Sequence, residues 1–258
     1  MSALALSTSN SATMLRRSLL HGVRYPLMLV SGLLTPVILL LLFVYILGGA
    51  LGATMPDGRM GYLNYIAPSM VLLTVCYGGG ATAVTVSVDM TEGIINRFRT
   101  MPISRASLLI GHVIGGVLRT MVSVLLVLAV ALLMGFRPSA TPVEWVATLG
   151  VLTMLAFALT WLTVALGASA KSPAGANTAI LPIQLLPLVS SAFVPTDSMP
   201  GVIRWIAEYQ PFTPVIDTVR GLLIGSPIGN SALIAAIWCV GITVVSFFWA
   251  RAGFNRDA

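Results

Sequence analysis

DMTEGIINRFRTMPISR, Asp89–Arg105, is the stretch on which the fold of this chain turns. It is dense in charge, yet it lies between two long apolar runs. Met60–Val88, before it, contains no charged residue, and Ala106–Phe136, after it, is interrupted only by Arg119. Met90, Ile94, Phe98 and Met101 fall at helical spacing, while Glu92, Asn96 and Arg99 point elsewhere. Asp89 can cap a helix start, because a short side-chain oxygen there accepts from free backbone N–H groups. Pro102 ends such a helix and Ser104 can cap the next. The result is a short amphipathic helix over 89–101, held by tight turns between two apolar spans. Periodicity alone leaves two readings open: a stiff lever on which something can push, or an ordinary solvated loop.

Working outward, the composition decides the solvent. Of 258 residues, 57% are hydrophobic and only 9% charged. A soluble domain carries about 25% charged residues, so this chain cannot cover itself with polar surface. The expected fold is therefore an all-α integral membrane protein. Uncharged or nearly uncharged stretches place spans near 27–51, 65–87, 105–135, 145–169, 173–195 and 231–250. Two further segments are amphipathic rather than spanning: an interfacial helix over 12–25, with Leu15, Leu19 and Val23 on one face, and short helices over 199–225. The latter mix Trp205, Phe212 and Val215 with Arg204, Glu208 and Asp217, and are expected to rest on or dip into the outer leaflet.

Six spans put both termini on one side. With the N-terminus inside, the inside linkers hold Arg16, Arg17, Arg24, Arg97, Arg99, Arg105, Lys171, Arg251 and Arg256, and the outside linkers only Arg59, Arg137, Arg204 and Arg220. The positive-inside rule then favours both termini in the cytosol, which makes Asp89–Arg105 cytosolic. The net charge of +6 is spread over these linkers, which argues for orientation and anionic-lipid contact and against nucleic-acid binding.

The chemistry that the sequence lacks is also informative. Cys76 and Cys239 both lie inside apolar spans, without C-x-x-C or metal-ligand spacing, and read as small buried hydrophobes. No G-x-x-x-x-G-K-S/T phosphate loop and no Ser-His-Asp arrangement is evident, so neither ATP binding of that kind nor a catalytic residue is expected in this chain, and no cofactor or metal. MSALALSTSNSATMLRR, at the start, lacks the basic-then-apolar order of a cleavable signal peptide. Arginine far outnumbers lysine in an Ala- and Gly-rich chain, a hint of a GC-rich bacterial genome.

Three ordered runs carry a resemblance. EGIINRFRTMPISRASLLIG (Glu92–Gly111) resembles the coupling-helix region of ABC-2 type transporter permeases, in particular the daunorubicin-resistance-type drug exporter permeases. FVPTDSMP (Phe193–Pro200) followed by YQPFTPVIDTVRGLLIG (Tyr209–Gly225) is similar to that family's signature after the fifth span. The basic N-terminal helix, RYP and Thr35–Pro36 give a looser third match. The chain departs from the pattern at Asn96, where an acidic residue is frequent, at His112, where arginine is frequent, and at Gln210, which replaces the usual Asn.

The resemblance implies a membrane subunit of an ABC exporter in a bacterial plasma membrane. Its partners would be a second permease copy, identical or related, and two copies of a separate ATPase that holds ATP and Mg. Asp89, Met90, Glu92, Gly93, Ile94, Asn96, Arg97, Phe98, Arg99, Met101 and Pro102 would then meet the ATPase. Pro195, Met199, Pro200, Pro211, Arg220 and Gly221 would form the extracellular signature. Spans two and five would line the dimer interface and the path, with Thr74, Thr85, Asn177, Gln184, Ser190 and Phe193 as candidates to face it. Pro182 and Pro187 permit kinks in span five, and Gly78–Gly80 a bend or close approach in span two. Arg119 is the one charged residue inside a span. It is expected to snorkel or to pair at the subunit interface in preference to touching cargo. An amphipathic drug, a lipid or a natural product is the expected cargo, with polysaccharide export, a passive channel and a membrane-embedded enzyme as the alternatives.

Overall fold

The structure is a computed structural model that describes residues 26–53, 57–91, 105–193, 196 and 199–256. Among these, every regular element is a helix. Helix α1 (Pro26–Leu42) runs through a π-helical stretch (Phe43–Leu47) into α2 (Gly48–Gly52). Then come α3 (Gly58–Gly78), α4 (Gly80–Thr91), α5 (Arg105–Leu133) and α6 (Pro142–Ser169). Helix α7 (Pro173–Leu185) tightens into a 3-10 turn (Leu186–Val189) and is followed by α8 (Gly201–Tyr209), α9 (Phe212–Ile224) and α10 (Ser231–Arg256). The expected interfacial helix over 12–25 and the connector over 92–104 lie outside the described residues.

Local chemistry sets several boundaries. Thr141 and Glu144 form a reciprocal capping box ahead of α6, with Pro142 in the first turn, where its missing N–H costs nothing. Ser172 accepts from the Gly175 amide at 3.1 Å and opens α7 in the same manner. Gly225 closes α9 at φ 81, a left-handed backbone that favours glycine.

Among the described residues, five helices are long and apolar enough to cross a bilayer: Leu34–Gly52, Gly58–Thr91, Leu109–Leu133, Pro142–Ser169 and Ser231–Gly253. The second is 34 residues long, roughly 50 Å at 1.5 Å per residue, against a hydrocarbon core of about 30 Å. It therefore extends past both ends of the 65–87 segment marked in the sequence. It is also divided at Gly79, so that α3 and α4 are separate helices. The segment at 173–195 differs most from expectation: its α-helix stops after 13 residues and its 3-10 turn after 4 more. Pro187 lies in the first turn of the 3-10 segment, where its missing N–H removes a bond to the preceding α-helical turn.

The core is centred on α3. Leu63, Ile66, Met70 and Leu72 pack with Leu152 and Leu155 of α6, and with Phe212, Ile216 and Leu223 of α9. The segment over 199–225 therefore divides. Helix α8 exposes Val202, Trp205 and Tyr209, whereas α9, expected to rest on a leaflet, is buried on the main core. Leu233, Ile237, Val244 and Phe248 of α10 stand exposed, the mark of a helix whose solvent is hydrocarbon.

Where apolar surface has no water to escape from, helices associate through close packing of small residues. A Cβ on Gly167 of α6 would lie 2.5 Å from the Ala83 carbonyl oxygen of α4. One on Gly116 of α5 would lie 2.7 Å from Thr160 Cγ2 and 2.8 Å from Thr82 Oγ1. Gly167→Ala is expected to separate α4 from α6 at a cost of about 1–3 kcal/mol. Gly150→Ala, which meets open space, is expected to be neutral. Thermal unfolding of the two variants in one detergent checks the contrast, and equal midpoints would disprove the close approach.

Candidate functional site

Two polar clusters between helices stand out among the described residues, one toward the connector and one where α7 ends. The first lies at the connector end, where α4 leaves for the connector and α5 returns from it. Asp89 occupies the last turn of α4, and the helix start that the sequence assigns to it lies against residues outside those described. Its Oδ2 lies 3.1 Å from His112 Nε2 of α5, with only 9% and 12% of the two side chains exposed. Farther in, Arg119 Nη2 donates to Thr82 Oγ1 at 3.3 Å. Arg119 is thus half-buried and held by a neighbouring helix of its own chain, a partner suited to a cation that is costly to leave bare at membrane depth.

The second cluster lies where α7 breaks off. Ser190 takes an extended backbone, so the carbonyls after it have no helical partner. Arg220 of α9 supplies the donors: Nη1 reaches the Ser191 carbonyl at 3.3 Å and Nη2 the Ala192 carbonyl at 3.2 Å. The same Nη2 reaches Ser69 Oγ of α3 at 3.3 Å. The Tyr65 ring lies under the guanidinium at 4.4 Å, and its hydroxyl donates to the Ser191 carbonyl at 3.4 Å. Ser69 donates to the Ala192 carbonyl. Asp217, one turn before Arg220, accepts from the Ser191 hydroxyl at 2.9 Å. Burial pushes its carboxyl above the usual carboxylate range, opposed by the Ser191 hydroxyl and Arg220. Gln210 adds a bond from Nε2 to the Val189 carbonyl at 3.0 Å.

The sequence-marked residues fall into three groups. Asp89 and Met90 end α4, whereas Glu92, Gly93, Ile94, Asn96, Arg97, Phe98, Arg99, Met101 and Pro102, like Pro195, lie outside the described residues. Of the signature, Pro200 precedes α8 and Pro211 precedes α9. Met199 donates its amide to the Thr196 carbonyl at 3.1 Å. Gly221 lets the chain fold back, since a Cβ there would fall 2.2 Å from Ile228 Cγ1. Of the path candidates, Thr74 and Ser190 are buried, their hydroxyls bonded to the Met70 and Pro187 carbonyls. Thr85 bonds to the Ala81 carbonyl. Gln184 sits against Gly80, and Phe193 stacks on Phe43 with centroids 5.5 Å apart. Asn177 is exposed on α7. Sequence reasoning missed Tyr65, Ser69, Ser191 and Asp217 as partners of Arg220, and His112 as the partner of Asp89. The i, i+3 spacing of Asp217 and Arg220 was the available signal.

Multi-pass and helical, with few charges inside its long helices: this is a membrane permease architecture without a soluble domain among the described residues. The ABC-2 type transporter family profile matches residues 10–224, and the chain belongs to that family. The daunorubicin resistance ABC transporter permease protein DrrB1 of Streptomyces coeruleorubidus is 29% identical over 241 residues, which cover 93% of this chain and 81% of that protein. The probable doxorubicin resistance ABC transporter permease protein DrrC of Mycobacterium tuberculosis H37Rv is 25% identical over 246 residues, covering 93% and 86%.

Arg220→Met is expected to cost several kcal/mol, about 1.5–3 for each charged hydrogen bond lost. Arg220→Lys should recover part of this, since an ammonium keeps the charge but not the planar fork. Thermal unfolding in detergent reads the order wild type, then Lys, then Met. A Met variant as stable as wild type would show that the cluster contributes nothing.

Proposed function

We propose that this chain is the membrane-spanning permease subunit of an ATP-driven ABC exporter in a bacterial inner membrane, moving an amphipathic drug, lipid or natural product out of the cytoplasm or inner leaflet. The observation that carries this reading is the end-to-end similarity to permeases named for daunorubicin and doxorubicin resistance, together with a family match over 10–224. The sequence holds no phosphate loop of its own, so hydrolysis belongs to a separate ATPase. Two ATPase subunits would serve two permease copies.

In this reading the chain has six spans with both termini in the cytosol. The short α7 counts as the fifth, completed by the irregular turn that Arg220 satisfies. Buried non-helical backbone is tolerable at membrane depth when its polar groups are met by protein. The connector over 89–101 is the coupling segment. Helix α3 is buried within the chain, whereas α7 leaves Asn177, Thr178, Leu181 and Leu185 exposed. Helix α7 is thus the better placed of the two to meet a second copy or the cargo. ATPase closure would push on the connector and rock α4 and α7.

The experiment is co-purification in mild detergent from the native host. A soluble ATPase with a phosphate-loop motif is expected in about 1:1 ratio, and Arg97→Glu with Ile94→Pro is expected to release it while the permease remains folded. A stable permease without any ATPase across several detergents would move the reading to a passive channel.

A further inference from the structure

The connector is rooted in α4 and α5, and the two roots are bridged twice. Asp89 and Thr82 lie seven residues apart on α4, and His112 and Arg119 lie seven apart on α5. Seven residues is two helical turns, so the two bridges sit on one face of each helix, roughly 10 Å apart. The helices are antiparallel, and the bridges pair in the matching order: Asp89 with His112 at the root, Thr82 with Arg119 farther in. Between them Val86 meets the cluster that holds Leu109 and Val113.

The rest of the packing makes this placement consequential. Helix α4 packs its backbone mainly on α6 and α7, and only sparsely on α5. On the α6 side the contact of α4 is backbone-tight at Gly167 and Ala83, whereas α5 meets α6 through side chains, with Gly116 against Thr160. Helix α4 is also separated from α3 at Gly79, where a Cβ would lie 2.7 Å from Thr163 Cγ2. Helix α5 packs on α3 and α6, so direct contact between the two roots is sparse and their mutual register rests on side chains.

We infer that the Asp89–His112 pair is a clasp that locks α4 and α5 in register, so that a push on the connector moves both helices as one body. His112 is a positioning residue, acting through Asp89 and touching neither nucleotide nor cargo. The inner bridge, Arg119 to Thr82, keeps the register at rest. The outer one carries the load during the stroke, because it lies beside the point of application. A slip of one turn would displace α5 along α4 by about 5 Å and break both bridges together. This inference rests on the exporter reading, since a chain that no ATPase pushes has no stroke to transmit.

The test needs no knowledge of the cargo. In the complex with its co-purified ATPase, Cys76 and Cys239 are replaced by Ala, and spin labels are placed at Ala81→Cys on α4 and Leu118→Cys on α5, both exposed positions. Inter-label distances are measured without nucleotide and after trapping with ATP and vanadate. The wild-type pairing is expected to give one narrow distance in both states. His112→Ala is expected to keep that distance without nucleotide and to shift or split it by several ångström, about one helical turn, on trapping. The exchange Asp89→His with His112→Asp is expected to restore the single distance, which a general loss of packing would not allow. Identical distances for His112→Ala and wild type in the trapped state would overturn the clasp. So would failure of the exchanged pair to restore either assembly or the single distance, should His112→Ala not assemble. Absence of any ATPase bound to the wild-type chain would instead remove the exporter reading itself.

Discussion

A guanidinium holding the broken end of a helix is the constraint around which the rest of this molecule is arranged. A backbone carbonyl without a partner is tolerable in water and costs several kcal/mol in hydrocarbon. Helix α7 stops short of crossing a bilayer, and the turn that follows exposes the carbonyls of Ser191 and Ala192. Arg220 can reach both only if α9 is brought inside, against α3 and α6. That is why an amphipathic segment that looks like a surface helix has Phe212, Val215, Ile216 and Val219 fully in the core. Ser69 and Tyr65 on α3 complete the same cluster, so the break in α7, the burial of α9 and the polar positions of α3 are one solution to one problem.

The other half of the molecule is held differently. Near the connector, Gly167 brings α6 onto the α4 backbone and Gly116 brings α5 onto threonines of α4 and α6, and two polar bridges join α4 to α5 where their own packing is sparse. Neither device draws on the hydrophobic effect, which offers little between helices that are already in lipid. The outward faces of α10 and α8 show the complement: large apolar side chains directed at the solvent that remains. A closely packed, small-residue bundle thus lies between the connector end and the α3 and α9 core, with the break at Gly79 between α3 and α4.

Much of this was legible in the sequence, for physical reasons. Charge is costly in hydrocarbon, so the uncharged runs reveal which segments can cross. Pro187 announces the irregularity in α7. The positions of Gly78–Gly80 marked a bend or a close approach, and both occur. What could not be read was partnership. Arg220 reads as one more basic residue in an outer linker until α9 turns inward. His112 reads as a departure from a family pattern until α4 brings Asp89 to it. Thr74 and Ser190 read as polar lining for a path, yet each bonds to a carbonyl in its own turn of chain, because a lone hydroxyl in an apolar helix satisfies itself locally.

The sequence by itself determined the solvent, the all-helical fold and the family, because all three are fixed by one-dimensional signals: the length of apolar runs, the placement of charge and the order of short motifs. Only the tertiary structure decided that α9 is core, that α7 ends early on an arginine, and that the two roots of the connector are clasped. Those outcomes depend on which helix faces meet. In a chain apolar on nearly every face, periodicity no longer says which side is turned inward, so a few polar contacts between distant residues make that choice.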